Sequence, residues 1–247
     1  MSADSYEAWK MSRLGRATAS RVKDVIAETK KGPSTSRRKY LIELLAERLT
    51  GMPAKQFVSE AMLWGNSTEP QARAAYEQST GKTVEQVWFI DHPTIPMSGA
   101  SPDGLVGDDG LLEIKCGETA THLTFLLEKK INPDHVTQMQ WQMATTGRKW
   151  CDYASFDPRL PVALQLSVVR VPRDDAAIEA MEKAVIEFLA ELDAAVKSLG
   201  PFEIPARTTH GTVKAYVDTS QPMDMQRQIR PEDEANWQPS QLVRPRA

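Results

Sequence analysis

Asp103, Glu113 and Lys115 are the residues of this chain best suited to do chemistry together. They fall within GASPDGLVGDDGLLEIK, residues 99–115, where Gly107, Asp108, Asp109 and Gly110 divide two short apolar runs. Asp-Gly between apolar runs predicts a hairpin. Strand alternation then places Glu113 and Lys115 on one face, and Leu112 and Ile114 on the other. With the first strand folded back on the second, Asp103 comes beside Glu113. Two carboxylates and a lysine then surround one point next to a layer of buried aliphatics. That is a seat for a hard divalent cation and a water to be activated. The same trio also fits a surface hairpin with an ordinary ion pair.

The composition suits such a site. At 247 residues the chain is long enough for one sizeable domain with an extension. It is 41% hydrophobic and 26% charged, as expected of a globular protein, and no apolar run has the length of a membrane span. Met1 is followed by Ser-Ala-Asp-Ser, not by a basic segment and an apolar core, so no signal peptide is expected. Cys116 and Cys151 have neither metal-binding nor disulfide spacing, and a reducing cytoplasm is the simplest assumption. The net charge is −3, but Lys10, Arg13, Arg16, Arg21, Lys23, Lys30, Lys31, Arg37, Arg38 and Lys39 are opposed within their own stretch only by Asp24 and Glu28. This segment reads equally as a phosphate-binding surface and as a solvated basic face.

The elements that position the trio follow from periodicity. Ser20 is expected to cap a helix over 21–30 carrying Val22, Val25 and Ile26, which Gly32-Pro33 breaks. Ser36 is expected to start the next helix, with Tyr40, Leu41, Leu44, Leu45 and Leu49 as its stripe and Gly51 as its stop. A third helical region over 59–79 holds Pro70, which predicts a break near Thr68. Period-two strands are expected over 84–90, 150–156 and 162–171, and short helices over 119–130 and 135–146, the second started by Asn132-Pro133-Asp134 and stopped by Gly147. Ile178, Met181, Val185, Phe188, Leu192, Val196 and Leu199 form the buried face of a long helix over 174–199. Beyond it the composition turns Pro-rich, with Pro201, Pro205, Pro222, Pro231, Pro239 and Pro245, and only Val213–Val217 has strand character. The expectation is an α/β domain over 1–200, a central mixed sheet flanked by helices, and a Pro-rich extension over 201–247.

Ser101-Pro102-Asp103-Gly104 with Leu112-Glu113-Ile114-Lys115 resembles the PD-(D/E)XK nuclease motif. Several other segments narrow the resemblance to the phage λ exonuclease or YqaJ-type recombination nucleases: Trp9 followed by Arg13-Leu14-Gly15 and Thr18-Ala19-Ser20; Trp64-Gly65 with Glu69; Gln138-Met139-Gln140; and Phe156-Asp157-Pro158-Arg159. They occur in the family's order over about 8–199. The resemblance implies a restriction-endonuclease-like core and a Mg²⁺-dependent 5′-to-3′ exonuclease, with Mn²⁺ as a substitute. Such an enzyme acts on duplex DNA ends and leaves 3′ overhangs for single-strand-annealing recombination. It also implies a ring-shaped homotrimer, an annealing protein as partner, and a phage or prophage origin in the cytoplasm of a bacterial host.

Residue by residue, the resemblance makes Asp103, Glu113 and the backbone carbonyl of Ile114 metal ligands, with Glu69 contributing from a helix. Lys115 orients and helps deprotonate the attacking water, and Gln138 is the active-site glutamine. Gln140, two residues on, cannot face the same point and is read as a surface or packing residue; Gln142 shares the Gln138 face but has no family support. Arg13, helped by Thr18 and Ser20, is implied to bind the 5′-phosphate, with Ser101 near the scissile bond; for Ser20 a cap alone is the competing reading. His92, His122, His135 and His210 show no ligand spacing and are read as non-catalytic, Cys116 as a small core residue, and Trp9, Trp64 and Trp141 as core. An endonuclease, or a catalytically silent DNA-binding module on the same fold, is the alternative. A Cas4-like nuclease with a four-cysteine cluster is excluded by the two cysteines.

Overall fold

The hairpin forms in the expected register, and the rest of the chain is built around its second strand. The structure, a computed structural model, describes residues 3–30, 32–54 and 59–200. In chain order the first part comprises α1 (Ala3–Ser12), β1 (Ala17–Thr18), a 3₁₀ turn (Ala19–Arg21), α2 (Val22–Val25), β2 (Glu28–Thr29), β3 (Gly32–Pro33), α3 (Thr35–Thr50) and α4 (Glu60–Thr80). Next come β4 (Val84–Glu85), β5 (Ile90–Asp91), β6 (Ser98–Ala100), β7 (Gly104–Val106), β8 (Gly110–Lys115), α5 (Thr119–Glu128) and α6 (Pro133–Thr146). The chain then forms β9 (Trp150–Phe156), α7 (Val162–Gln165), β10 (Leu166–Pro172) and α8 (Asp175–Ser198). The extension over 201–247, with its expected strand at Val213–Val217, lies outside the described residues.

The central sheet has the order β10-β9-β8-β7-β4. β8 pairs antiparallel with β7 and parallel with β9, so it is covered along both edges. It is covered on both faces as well. Leu111 belongs to a large apolar cluster with Tyr40, Met139, Trp141 and Phe188, whereas Leu112 and Ile114 join a smaller one with Ala72, Tyr76 and Phe156. Helices α3, α6 and α8 therefore pack on the side carrying Glu113, and α4 on the other. A second sheet, β1-β6-β5, joins the N-terminal segment to the chain leading into the hairpin, with Thr18 beside Gly99.

Turn chemistry holds the hairpin. Gly107 takes φ +56°, and Gly110 lies against the Trp150 ring, which a Cβ at that position would strike. Helix α8 buries the expected stripe of Ile178, Met181, Val185, Phe188, Leu192 and Val196, each such side chain contributing about 1.5–3 kcal/mol of burial. Leu199, read as part of that stripe, lies one residue past the helix and is exposed.

Five boundaries differ from expectation, each for a local reason. The helix expected over 21–30 is only α2: Val22 and Val25 are buried, Ile26 is exposed with no apolar residue at helical spacing after it, and Glu28–Thr29 pairs with Gly32–Pro33 instead. Ser20 consequently lies in the 3₁₀ turn and caps nothing with its side chain. Helix α3 starts two residues early because Ser34, not Ser36, accepts from the Arg37 N–H at 3.1 Å. Helix α4 runs unbroken through Pro70. The ring costs about 3 kcal/mol in a helix interior, but Pro70 and the Asn66 carbonyl it frees lie on the exposed side, while Thr68, Ala72 and Tyr76 bury the other. The strand expected over 84–90 is split between the two sheets as β4 and β5, and the one over 162–171 begins with the single turn α7.

Candidate active site

Glu113 is 1% exposed, and a carboxylate so placed needs donors on its oxygens. Three side chains supply them. Lys115 Nζ pairs with Oε1, Gln138 Nε2 donates to Oε1 at 2.7 Å, and Gln142 Nε2 donates to Oε2 at 2.6 Å. Gln138 and Gln142 are one turn apart on α6, whose placement is local in origin. Pro133 stands in its first turn, Asn132 accepts from the Asp134 N–H at 2.9 Å, and Gly147 closes it at φ +71°. Burial by itself lowers the pKa of the Lys115 ammonium, but Glu113 and Asp103 outweigh it and hold the pKa above the ordinary lysine range.

Asp103 lies just before β7, opposite the end of β8, and its Oδ2 accepts from the Ile114 N–H at 2.6 Å. Desolvation and then the Glu113 charge push its carboxyl well above the ordinary range, with Glu69 adding to the effect and Lys115 and the Ile114 N–H opposing it. Here two carboxylates share a site with too little positive charge. Among the described residues no group of three or more His, Cys, Asp or Glu side chains is gathered to hold a metal. Glu69, expected as the third acid, is paired with Arg73, which also donates to the Asp103 carbonyl at 3.4 Å. The expected donor set, Asp103, Glu113 and the Ile114 carbonyl with Glu69 near Asp103, is all oxygen and anionic. It fits a hard cation such as Mg²⁺ or Mn²⁺ that keeps several waters.

Arg13 stands where α1 turns toward β1. Its guanidinium lies 3.4 Å from Thr18 Oγ1 and 3.4 Å from Ser20 Oγ, and 4.3 Å from the centre of the Trp9 ring. The three expected phosphate-binding residues are thus together, on the wall of a cavity of about 490 Å³ also lined by Lys10, Arg16 and Arg21. Trp9 Nε1 donates to Ser101 Oγ at 3.2 Å, so this pocket is tied to the segment that carries Asp103. Much of the basic segment is engaged within the molecule: Arg16 with Asp91, Arg21 with Asp24 and Glu43, Lys23 with Asp134, and Arg37 with Glu191.

The residues given plain readings are mostly structural. His122 bonds Ser155 Oγ and the Leu164 carbonyl, and His92 is buried against Trp141. His135 stacks on Tyr153 with Nδ1 3.2 Å from the phenol, and its pKa is lowered by burial and by Lys115, which places it at the rim of the site. His210 lies outside the described residues. Cys116 is half-buried against the smaller apolar cluster, and burial and the nearby carboxylates push its thiol up to about 12. Gln140 is buried and structural, donating to the Pro172 carbonyl at 2.8 Å and accepting from the Asp174 N–H at 2.9 Å.

Three participants were given no role from the sequence. Gln142 was signalled only by its spacing of four from Gln138, and Arg73 only by its spacing of four from Glu69. The third is Asp157, named from the sequence only as part of the segment Phe156-Asp157-Pro158-Arg159. It accepts from Thr119 Oγ1 at 2.6 Å and from the Arg159 Nε at 2.8 Å, while Arg159 covers the Trp64 ring of α4 at 4.5 Å. This turn binds together the ends of β9, α5 and α4 beside Lys115.

A family model described as the YqaJ-like viral recombinase domain matches residues 8–149, which include every candidate metal-binding and phosphate-binding residue named above. Among solved structures, an alkaline exonuclease from Laribacter hongkongensis, LHK-Exo, is 50% identical over 78% of this chain and 95% of its own, with a TM-score of 0.73. Its complex with dAMP matches equally well. A phage-related exonuclease from Haemophilus somnus 129PT is 16% identical over 75% of this chain and 96% of its own, with a TM-score of 0.63, a likeness of fold. No match was found among curated proteins. With more than half its length matched by the family model, on a restriction-endonuclease-like mixed sheet flanked by helices, the chain belongs to the YqaJ-like viral recombinase family.

Proposed function

We propose that the protein is a metal-dependent exodeoxyribonuclease that digests the 5′-phosphorylated strand of duplex DNA and leaves 3′ overhangs for recombination. The observation that carries this reading is the pairing of Asp103 and Glu113 around Lys115, in a chain half identical to an alkaline exonuclease. That relative has been captured with dAMP, a nucleoside monophosphate, which is the size of product an exonuclease releases.

Asp103, Glu113 and the Ile114 carbonyl, with Glu69 contributing from α4, are the residues that would hold Mg²⁺ or Mn²⁺. When bound, the ion supplies charge neutralisation at the phosphate and a more acidic water. Lys115 enters as an ammonium, because its carboxylate neighbours hold it protonated. It donates to the attacking water and to the charge that grows on the phosphoryl oxygens. With the carboxylate charge offset by a bound ion, Lys115 would release its own proton to solvent and, as the neutral amine, take the proton of the attacking water. Gln138 keeps the Glu113 carboxylate turned toward the site, and Arg73 holds Glu69 beside Asp103. Arg13 with Thr18 and Ser20 receives the terminal phosphate, which carries more charge than an internal one and suits a guanidinium fork. Ser101, held by Trp9, stands between that pocket and Asp103. A ring-shaped homotrimer, a single-strand annealing partner, and action in the cytoplasm of a phage's bacterial host complete the proposal by family.

A linear duplex labelled separately at each 5′ and 3′ end tests it. The 5′ labels should appear first as mononucleotide while the 3′ labels stay on long strands, and EDTA should stop both. Release from 3′ ends first, or hydrolysis in EDTA, overturns the reading.

A further inference from the structure

Gln142 is fully buried in the middle of α6, between Trp141 and Met143, which are equally buried. Packing at such a position calls for an apolar side chain. The amide found there makes one hydrogen bond, from Nε2 to Glu113 Oε2 at 2.6 Å, and leaves its own Oε1 buried with no partner among the described residues. Turning the amide over does not relieve this, because it would set carbonyl against carboxylate. The side chain therefore accepts an unpaired acceptor at one end to keep a donor at the other.

What that donor accomplishes follows from how the Glu113 oxygens are shared. Lys115 and Gln138 both contact Oε1, so the acceptor capacity of that oxygen is taken up. Oε2 has Gln142 alone, and one acceptor direction remains on it. Gln138 is only half-buried and Lys115 is 30% exposed in its side chain, so both sit at the open side. Gln142 holds the carboxylate from within. We propose that Gln142 is a positioning residue for metal binding, pinning the plane of the Glu113 carboxylate so that Oε2 presents its one remaining direction to the cation. This rests on the reading of Glu113 as a metal ligand.

The test is direct binding of Mn²⁺ to the full-length protein without DNA, read by the electron paramagnetic resonance of the free ion, alongside steady-state kinetics. Gln142→Met keeps length and shape and removes the donor. It should weaken Mn²⁺ binding about tenfold, as loss of a partner behind a ligand does, and lower kcat, while DNA affinity in EDTA stays unchanged. A dissociation constant within twofold of wild type in the folded variant overturns the proposal. If Gln142→Met does not fold, the double variant Glu113→Met/Gln142→Met decides. Recovery of the fold once carboxylate and clamp are both gone means the amide serves Glu113; continued failure makes Gln142 a core residue and overturns the proposal. A wild type that binds no Mn²⁺ overturns the metal reading itself and takes this inference with it.

Discussion

Lys115 is the residue whose properties depend most on its neighbours. On an exposed strand it would be an ordinary ammonium; here the Glu113 and Asp103 charges outweigh desolvation and keep it protonated. Lys115→Ala should therefore lower hydrolysis by on the order of 10²–10⁴-fold while leaving DNA affinity in EDTA nearly intact. Single-turnover cleavage and a binding titration check this, and near-normal cleavage would remove Lys115 from the mechanism. In the proposed function Arg13 serves another part of the substrate. Its guanidinium is fixed by Trp9, Thr18 and Ser20, away from the carboxylates, so Arg13→Ala should erase the preference for 5′-phosphorylated over 5′-hydroxyl ends. Competition between the two kinds of end measures it. Equal degradation of both by the wild type would sink the phosphate-pocket idea. The sequence pointed to both residues through motif and local charge, whereas the donation from Gln142 to Glu113 required α6 to be placed over β8.

At the scale of elements, the site is a hairpin clamped by one helix above and one turn at its end. The hairpin was legible because turn residues and strand parity are local properties. So were α6 and α8, whose starts and stops are marked by Asn132-Pro133, Gly147 and a sustained apolar stripe. The 84–90 strand was not, since period two does not say which sheet a residue joins, and Val84 and Ile90 join different ones. The Asp157–Arg159 turn makes a prediction of its own. Hydrogen bonds from Arg159 and Thr119 hold the Asp157 carboxyl well below its ordinary value of 3.8. A carboxyl with a depressed folded pKa stabilises the fold above the ordinary range and loses that contribution as pH falls through it. Asp157→Asn should accordingly melt a few degrees below wild type at pH 7, and the gap should narrow steadily below about pH 4. Melting curves across pH check this; a gap independent of pH would show that the charge on Asp157 is immaterial.

For the whole molecule, the relevant fact is that two separate layouts are joined. The sheet and α6 hold the candidate catalytic residues, while α1, β1 and β6 hold Arg13, and the Trp9–Ser101 hydrogen bond connects the two. On the proposed function, a protein so arranged finds a 5′ end before it cuts. A covalently closed duplex circle should therefore survive incubation with Mg²⁺ that consumes the linear form, and a single 5′-phosphorylated nick should restore digestion. Linearisation or nicking of the intact circle would favour an endonuclease. The amino-acid sequence by itself determined the chemistry on offer, namely Asp103 opposite Glu113, Lys115 two residues on, a helix presenting Gln138 and an N-terminal arginine, because these depend on strand parity, helix caps and motif order. Only the tertiary structure decided how each charge is met. It gave Glu69 to Arg73, set Gln142 against Glu113, assigned Arg16, Arg21, Lys23 and Arg37 to ion pairs within the fold, and raised the Asp103 pKa. Coulombic and desolvation effects act through space between groups far apart along the chain, and only packing brings those groups together.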